Sequence, residues 1–164
     1  MLAAAVVLAA CAGAGAAPTG VAACADTNTQ VWLGDGEGGG TAGAIYYPLE
    51  FSNVGHRACT LYGYPGVSAW GSGGGPVGLA ATRAVSAHTT VTLAPNATAH
   101  ALLRIADYGA LCSTALNALG LAVYAPGQRQ SRSIEFALEV CAHRSVLSVG
   151  PVRAGVGIPG YTTS

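Results

Sequence analysis

The chain has 164 residues, 51% of them apolar and 9% charged, with seven Lys and Arg balanced by seven Asp and Glu. That balance leaves no basic footprint for nucleic acid and no acidic field. The apolar content excludes a disordered chain and is enough for one packed domain. Every cationic side chain is Arg, and glycine occupies 24 positions, which predicts many turns.

Residues 1–10 are apolar and uncharged. As a helix they rise about 15 Å, half the depth of a bilayer core, so they match a signal-peptide core rather than a span. Leu8-Ala9-Ala10-Cys11 follows directly and resembles the bacterial lipobox, which makes Cys11 the expected lipidation site. No Lys or Arg precedes Arg57, so the basic start of a signal peptide is expected upstream. Ordinary secretion with cleavage near Ala14-Gly15-Ala16 is the alternative. Either route removes Cys11 from the disulfide pool. The expected organisation is a lipoprotein signal over 1–11, a small-residue tether over 12–23, a β domain over 24–155 and a tail over 156–164. The expected location is the outer face of the cell membrane, or the exterior if the chain is secreted.

The body reads as short strands separated by turns. Gly34 to Gly40 predicts a flexible loop. From Ala44 to Ser52, Ile45, Tyr47, Leu49 and Phe51 alternate with Tyr46, Pro48, Glu50 and Ser52, a half-buried strand. Pro48 cannot donate to a ladder, which predicts an edge or a bulge. Strands follow at Gly66–Trp70, Thr89–Leu93, Thr98–Ile105, Leu119–Tyr124, Ser133–Val140 and Ser145–Val149, with a glycine loop over Gly71–Gly75. In Ser133–Val140, Ile134, Phe136, Leu138 and Val140 alternate with polar neighbours, and Glu135 and Glu139 share the polar face. Ala106–Ala118 is the one helical candidate. The sum is an all-β, antiparallel immunoglobulin-like sandwich of seven to nine short strands.

Cys24, Cys59, Cys112 and Cys141 allow three pairings. The sequential one, Cys24–Cys59 with Cys112–Cys141, is preferred because it pins each half of the chain. The C-x₂₋₄-C spacing of zinc sites is absent, so disulfides are expected and a metal is not.

The stretch Asn53 to Trp70 carries Asn53, Cys59, Thr60, Leu61, Gly63, Pro65, Gly66 and Val67. These residues resemble the central motif of a bacterial envelope family, Domain of Unknown Function 4232. Val91-Thr92-Leu93-Ala94-Pro95 with Ala99, the ending Val149-Gly150-Pro151-Val152, and Cys24, Cys112 and Cys141 are similar to it too. Asn96 departs from an expected Gly, and Asn tolerates the left-handed conformation next best. The resemblance implies a secreted or lipid-anchored β domain of high-GC Gram-positive bacteria and no particular activity. Tyr64-Pro65-Gly66-Val67 itself suits a type II turn with Gly66 at positive φ, a scaffold role, with Tyr62 and Tyr64 as candidates for binding.

No grouping carries a reaction. Gly34-Asp35-Gly36-Glu37-Gly38-Gly39 satisfies G-x-G-x-x-G, but a strand follows where a dinucleotide site needs a helix. Asp35 and Glu37 lack the rest of a calcium loop. His56, His88, His100 and His143 show no ligand spacing and are expected at the surface. No G-x-S-x-G elbow occurs. No catalytic residue, metal or cofactor is expected. The expected function is a non-catalytic envelope module, lipid-anchored, that binds an envelope protein or glycan. A secreted protease inhibitor using Leu61 to Val67 is the alternative, and an envelope hydrolase a more distant one.

Overall fold

A computed structural model describes residues 20–35, 43–109 and 111–157. Cys11 and its lipobox, most of the tether, most of the Gly34–Gly40 loop and the last residues of the tail lie outside the described residues.

The first sheet is built on β2 (Ala44–Asn53) and β8 (Thr98–Ala106), which pair antiparallel along nearly their whole length. β1 (Thr29–Leu33) flanks β2. β11 (Leu147–Val149) and then β12 (Arg153–Ala154) run beside β8 as one interrupted strand. β6 (Thr82–Arg83) closes the edge as a parallel partner of β11. The second sheet has the order β10 (Ser131–Cys141), β9 (Ala115–Tyr124), β4 (Gly66–Trp70), β5 (Pro76–Val77), all antiparallel. β3 (Cys59–Leu61) and β7 (Val91–Leu93) form a separate ribbon.

Period-2 alternation turns apolar side chains to the inside of both sheets. Leu49 and Phe51 of β2, Ala99, Ala101 and Leu103 of β8, Val67 and Ala69 of β4, and Leu121 and Val123 of β9 join one buried cluster. The rings of Tyr47 and Phe136 meet edge-on at 5.1 Å between β2 and β10. The small Ala residues of β8 lie between larger Leu, Phe and Val side chains of the neighbouring strands, the size alternation that close packing requires. The described residues thus form an all-β domain of stacked sheets, antiparallel but for the short β6–β11 pair.

Several expectations change. Pro48 sits in the middle of the first sheet, opposite Leu102, and not at an edge. β1 ends at Leu33 opposite Leu49, and the Pro48 carbonyl accepts the Gly34 N–H at 2.8 Å. The missing donor therefore points to the side where β1 has already stopped. Ala106–Ala118 is not a helix: Ala106 ends β8, the Leu111 and Cys112 N–H groups both donate to the Tyr108 carbonyl in a turn, and β9 starts at Ala115. Pairing of β9 with both β10 and β4 outweighs the local helical propensity. Gly66 is not the left-handed residue of a type II turn; it opens β4, and Gly63 carries the positive φ, 90°. Asn96 does take the left-handed conformation, at φ 64°.

Candidate binding face

The residues that carry the family resemblance build scaffold. Disulfides join Cys24 to Cys59 and Cys112 to Cys141, with Cα separations of 4.8 and 5.2 Å. Thr60 pairs with the N-terminal segment, its N–H donating to Ala22 and its carbonyl accepting from Cys24. The Gly63 carbonyl accepts the Val152 N–H at 2.8 Å, so the middle motif and the closing Gly-Pro-Val motif meet. Leu61, Gly63, Pro65 and Val67 are all buried. Alternate residues of the segment Leu61 to Val67 are thus buried against the fold, with Tyr62 exposed between them.

Tyr62 and Tyr64 emerge from that segment and meet His88 at ring-centroid distances of 4.9 and 5.1 Å. The Tyr64 hydroxyl donates to the Ser86 carbonyl and accepts the Ser86 N–H, which ties it to the β6–β7 connection. The Arg83 guanidinium lies 5.7 Å from the Tyr64 ring centroid, within cation–π range. Tyr62 is 61% exposed, so the cluster is a surface feature held by one well-bonded tyrosine. Trp32, Tyr46 and Tyr47 do not join it.

His100 and Glu50 are the largest departure from expectation. His100 was expected at the surface and Glu50 in the polar set of its alternating strand, and both are buried, at 3% and 4% exposure. They are register partners across β2 and β8. The segment after β12 crosses over them: His100 Nδ1 bonds the Gly155 carbonyl at 2.9 Å, and Glu50 Oε1 accepts the Gly157 N–H at 2.7 Å. Contacts more than 50 residues apart in sequence cover these side chains, which no local pattern reveals. Glu50 Oε2 has no hydrogen-bond partner among the described residues.

Burial pushes the Glu50 carboxyl above its ordinary value of 4.5, against the opposing effects of the Gly157 N–H and His100. The folded state thus holds this proton more tightly than the unfolded chain. The stability contributed by protonated Glu50 is complete below 4.5 and is lost as pH rises through the raised value. Glu50→Gln should therefore flatten the pH dependence of stability above 4.5. Near neutral pH its Tm should rise by about 2–4 °C, the size of an effect of about 1 kcal/mol. Thermal melts of both proteins from acid to neutral pH check this; parallel curves would contradict it.

The outer face of the second sheet is open, and register lays out its chemistry as a grid. Gly66, Ser68 and Trp70 of β4 lie opposite Tyr124, Ala122 and Gly120 of β9. These in turn lie opposite Ser131, Ser133 and Glu135 of β10. At one end the Tyr124 ring packs on Gly66, and at the other the Trp70 indole packs on Gly120. A Cβ on Gly120 would overlap the Ile134 carbonyl oxygen and the indole, so only glycine lets the ring lie down on the sheet. The two aromatic residues are separated by four strand positions, about 14 Å. Between them Ser68, Ala122 and Ser133 leave a trough of about 600 Å³, walled on the β5 side by Gly74 and Pro76. A shallower, mainly apolar depression of about 440 Å³ continues beyond Trp70, lined by Leu119, Glu135, Phe136 and Ala137. Trp70 Nε1 is buried with no hydrogen-bond partner among the described residues.

Glu135 is the single charged side chain in this grid. A bulge between Glu135 and Leu138 reverses the alternation of β10. Glu135 pairs with Gly120 and Glu139 with Asn117, so the two carboxylates fall on opposite faces rather than sharing one. Sequence inspection did not single out Trp70, Tyr124 or the serines as a group. The signal was present as Gly and aromatic residues at matching ends of two strands, but only the register of β4 with β9 pairs them. Among the described residues no group of three or more His, Cys, Asp and Glu is placed to hold a metal ion. Nor is any helix there long and apolar enough to cross a membrane.

The fold and its staples define a disulfide-bonded, all-β domain, the build of proteins that mature in an oxidising compartment. The chain belongs to the family described as domain of unknown function (DUF4232), which it matches over residues 24–153. No curated protein and no solved structure matches it.

Proposed function

We propose that this protein is a non-catalytic binding module of the bacterial cell envelope, held at the outer face of the membrane by a lipid on Cys11, and that it binds through the outer face of the second sheet. The observation that carries this reading is the pair of aromatic rings laid on glycines at the two ends of the serine-lined trough. Rings held flat by the sheet lose little freedom on binding, which makes a face of this kind an efficient contact surface. The non-catalytic reading is supported by what surrounds the titratable groups. Glu50 and His100 are covered by the chain itself, and Glu135 stands in the trough with no second carboxylate and no histidine among the residues that line it.

A photo-crosslinking residue placed at Gly73, at Tyr62 and at Asn117 in the full-length protein on intact cells tests the choice of face; Gly73 is exposed, has open space around it and adjoins Gly74 at the border of the trough. Envelope adducts concentrated at position 73 are expected. Adducts at position 62 with none at 73 would move the binding surface to the Tyr62–Tyr64–His88 cluster.

A further inference from the structure

We infer that the ligand of this face is a saccharide chain of N-acetylated hexosamines, an identification that rests on the outer face of the second sheet being the binding surface. A pyranose ring presents one apolar C–H surface and a rim of hydroxyls. The face offers the complement of both. Trp70 and Tyr124 supply two flat ring platforms about 14 Å apart, room for a short oligosaccharide laid along the strands. Ser68, Ser131 and Ser133 supply hydroxyls that donate and accept between the platforms, and Glu135 accepts at the Trp70 end.

Other ligand classes fit less well. The grid holds no cation, so phosphates and uronic acids meet no counter-charge there. A peptide adding a strand would pair along the free edge of β10 and lie beside the trough rather than in it, because β9 is paired on both edges. A lipid tail needs a deep apolar cavity, and the trough is open and serine-lined. The acetamido group is assigned from the second depression. Leu119, Phe136 and Ala137 form a mainly apolar notch on the far side of Trp70, and Glu135 borders both it and the trough. An acetamido substituent on a sugar stacked at Trp70 would set its methyl in that notch and donate its N–H to the Glu135 carboxylate. Burying the methyl and making a charge-assisted bond together favour the acetylated sugar over its hydroxyl counterpart.

The test is direct because the chain has two tryptophans. In the Trp32→Phe protein Trp70 is the remaining indole, and its emission reports occupation of the face. The N-acetylglucosamine tetramer should shift that emission in a saturable titration, and the glucose tetramer should bind at least about tenfold more weakly. Ser133→Leu, at an exposed position, should fill the trough and weaken binding by at least about tenfold with Tm unchanged. Glu135→Gln should reduce the preference for the acetylated tetramer by several-fold. The Ser133 and Glu135 variants keep the test valid if Trp70→Ala, the obvious variant, fails to fold. Absence of a response to the acetylated tetramer, equal binding of the glucose tetramer, or full binding by Ser133→Leu would each overturn the assignment. Failure here is separable from failure of the face. Adducts at position 73 that contain protein or a second copy of this chain, and no sugar, would reject the saccharide while leaving the face in place. Absence of adducts at 73 would reject the face itself.

Discussion

Reducing both disulfides should destabilise the domain by about 7 kcal/mol, enough to unfold most of the population at room temperature. Cys24–Cys59 spans 35 residues and Cys112–Cys141 spans 29. In the chain-entropy account each closure restricts the unfolded ensemble by about 3.5–4 kcal/mol, comparable to half the stability of a typical domain. The two bonds act on different parts of the fold. Cys24–Cys59 holds the segment ahead of β1 against β3, where the Cys24 N–H already donates to Thr60 and its carbonyl accepts from Gln128 Nε2. Cys112–Cys141 fastens the turn after β8 to the end of β10. Urea unfolding of the double variants Cys24→Ser/Cys59→Ser and Cys112→Ser/Cys141→Ser, with the reduced parent for comparison, should give two losses of similar size. A reduced parent with the midpoint of the oxidised one would contradict the expectation.

Asn53→Ala should be the most damaging single substitution of a polar residue, at about 3–4 kcal/mol. Asn53 is 1% exposed. Its Nδ2 donates to the Leu93 carbonyl at 3.0 Å and the Arg57 carbonyl at 2.8 Å, and its Oδ1 accepts the Gly55 N–H at 3.0 Å. Its backbone bonds Ala97 and Asn96 as well. One side chain thus joins the end of β2 to the β3–β7 ribbon, and its removal orphans three backbone groups at once. Asn53→Asp should be at least as harmful at neutral pH, because a carboxylate would face the two carbonyls that the amide donates to. Chemical denaturation of both variants measures the cost. A loss below about 1 kcal/mol for both would mean that water or relaxation replaces the amide.

Much of the architecture was readable from local pattern. The alternation in Ala44–Ser52 and Ser133–Val140 became β2 and β10, and the expected left-handed Asn96 was found where a turn demands it. Among the described residues, nine strands of three residues or more fall within the expected seven to nine, with three two-residue strands besides. The failures share a cause. Ala106–Ala118 has helix-compatible composition, yet strand pairing on both sides of β9 and the Cys112 tether decide its state. Glu50 and His100 read as solvent-facing because alternation places them away from the core. Residues 155–157, distant in the chain, cover them.

The family motif and the binding face divide along the same line. Asn53, Cys59, Leu61, Gly63 and Pro65 stand together in sequence and are buried, so a linear pattern captures them and scaffold is what it describes. Trp70, Tyr124, Ser133 and Glu135 come from three strands and form one surface only through the register of β4, β9 and β10. Composition, period-2 alternation and cysteine spacing are properties of neighbouring residues, and they determined the all-β class and the small-residue turns. Which side chains face one another across strands, and which are covered by a returning segment, depends on pairings of large sequence separation. Those only the tertiary structure decided, because the free energy that selects them comes from burying and pairing the whole sheet at once.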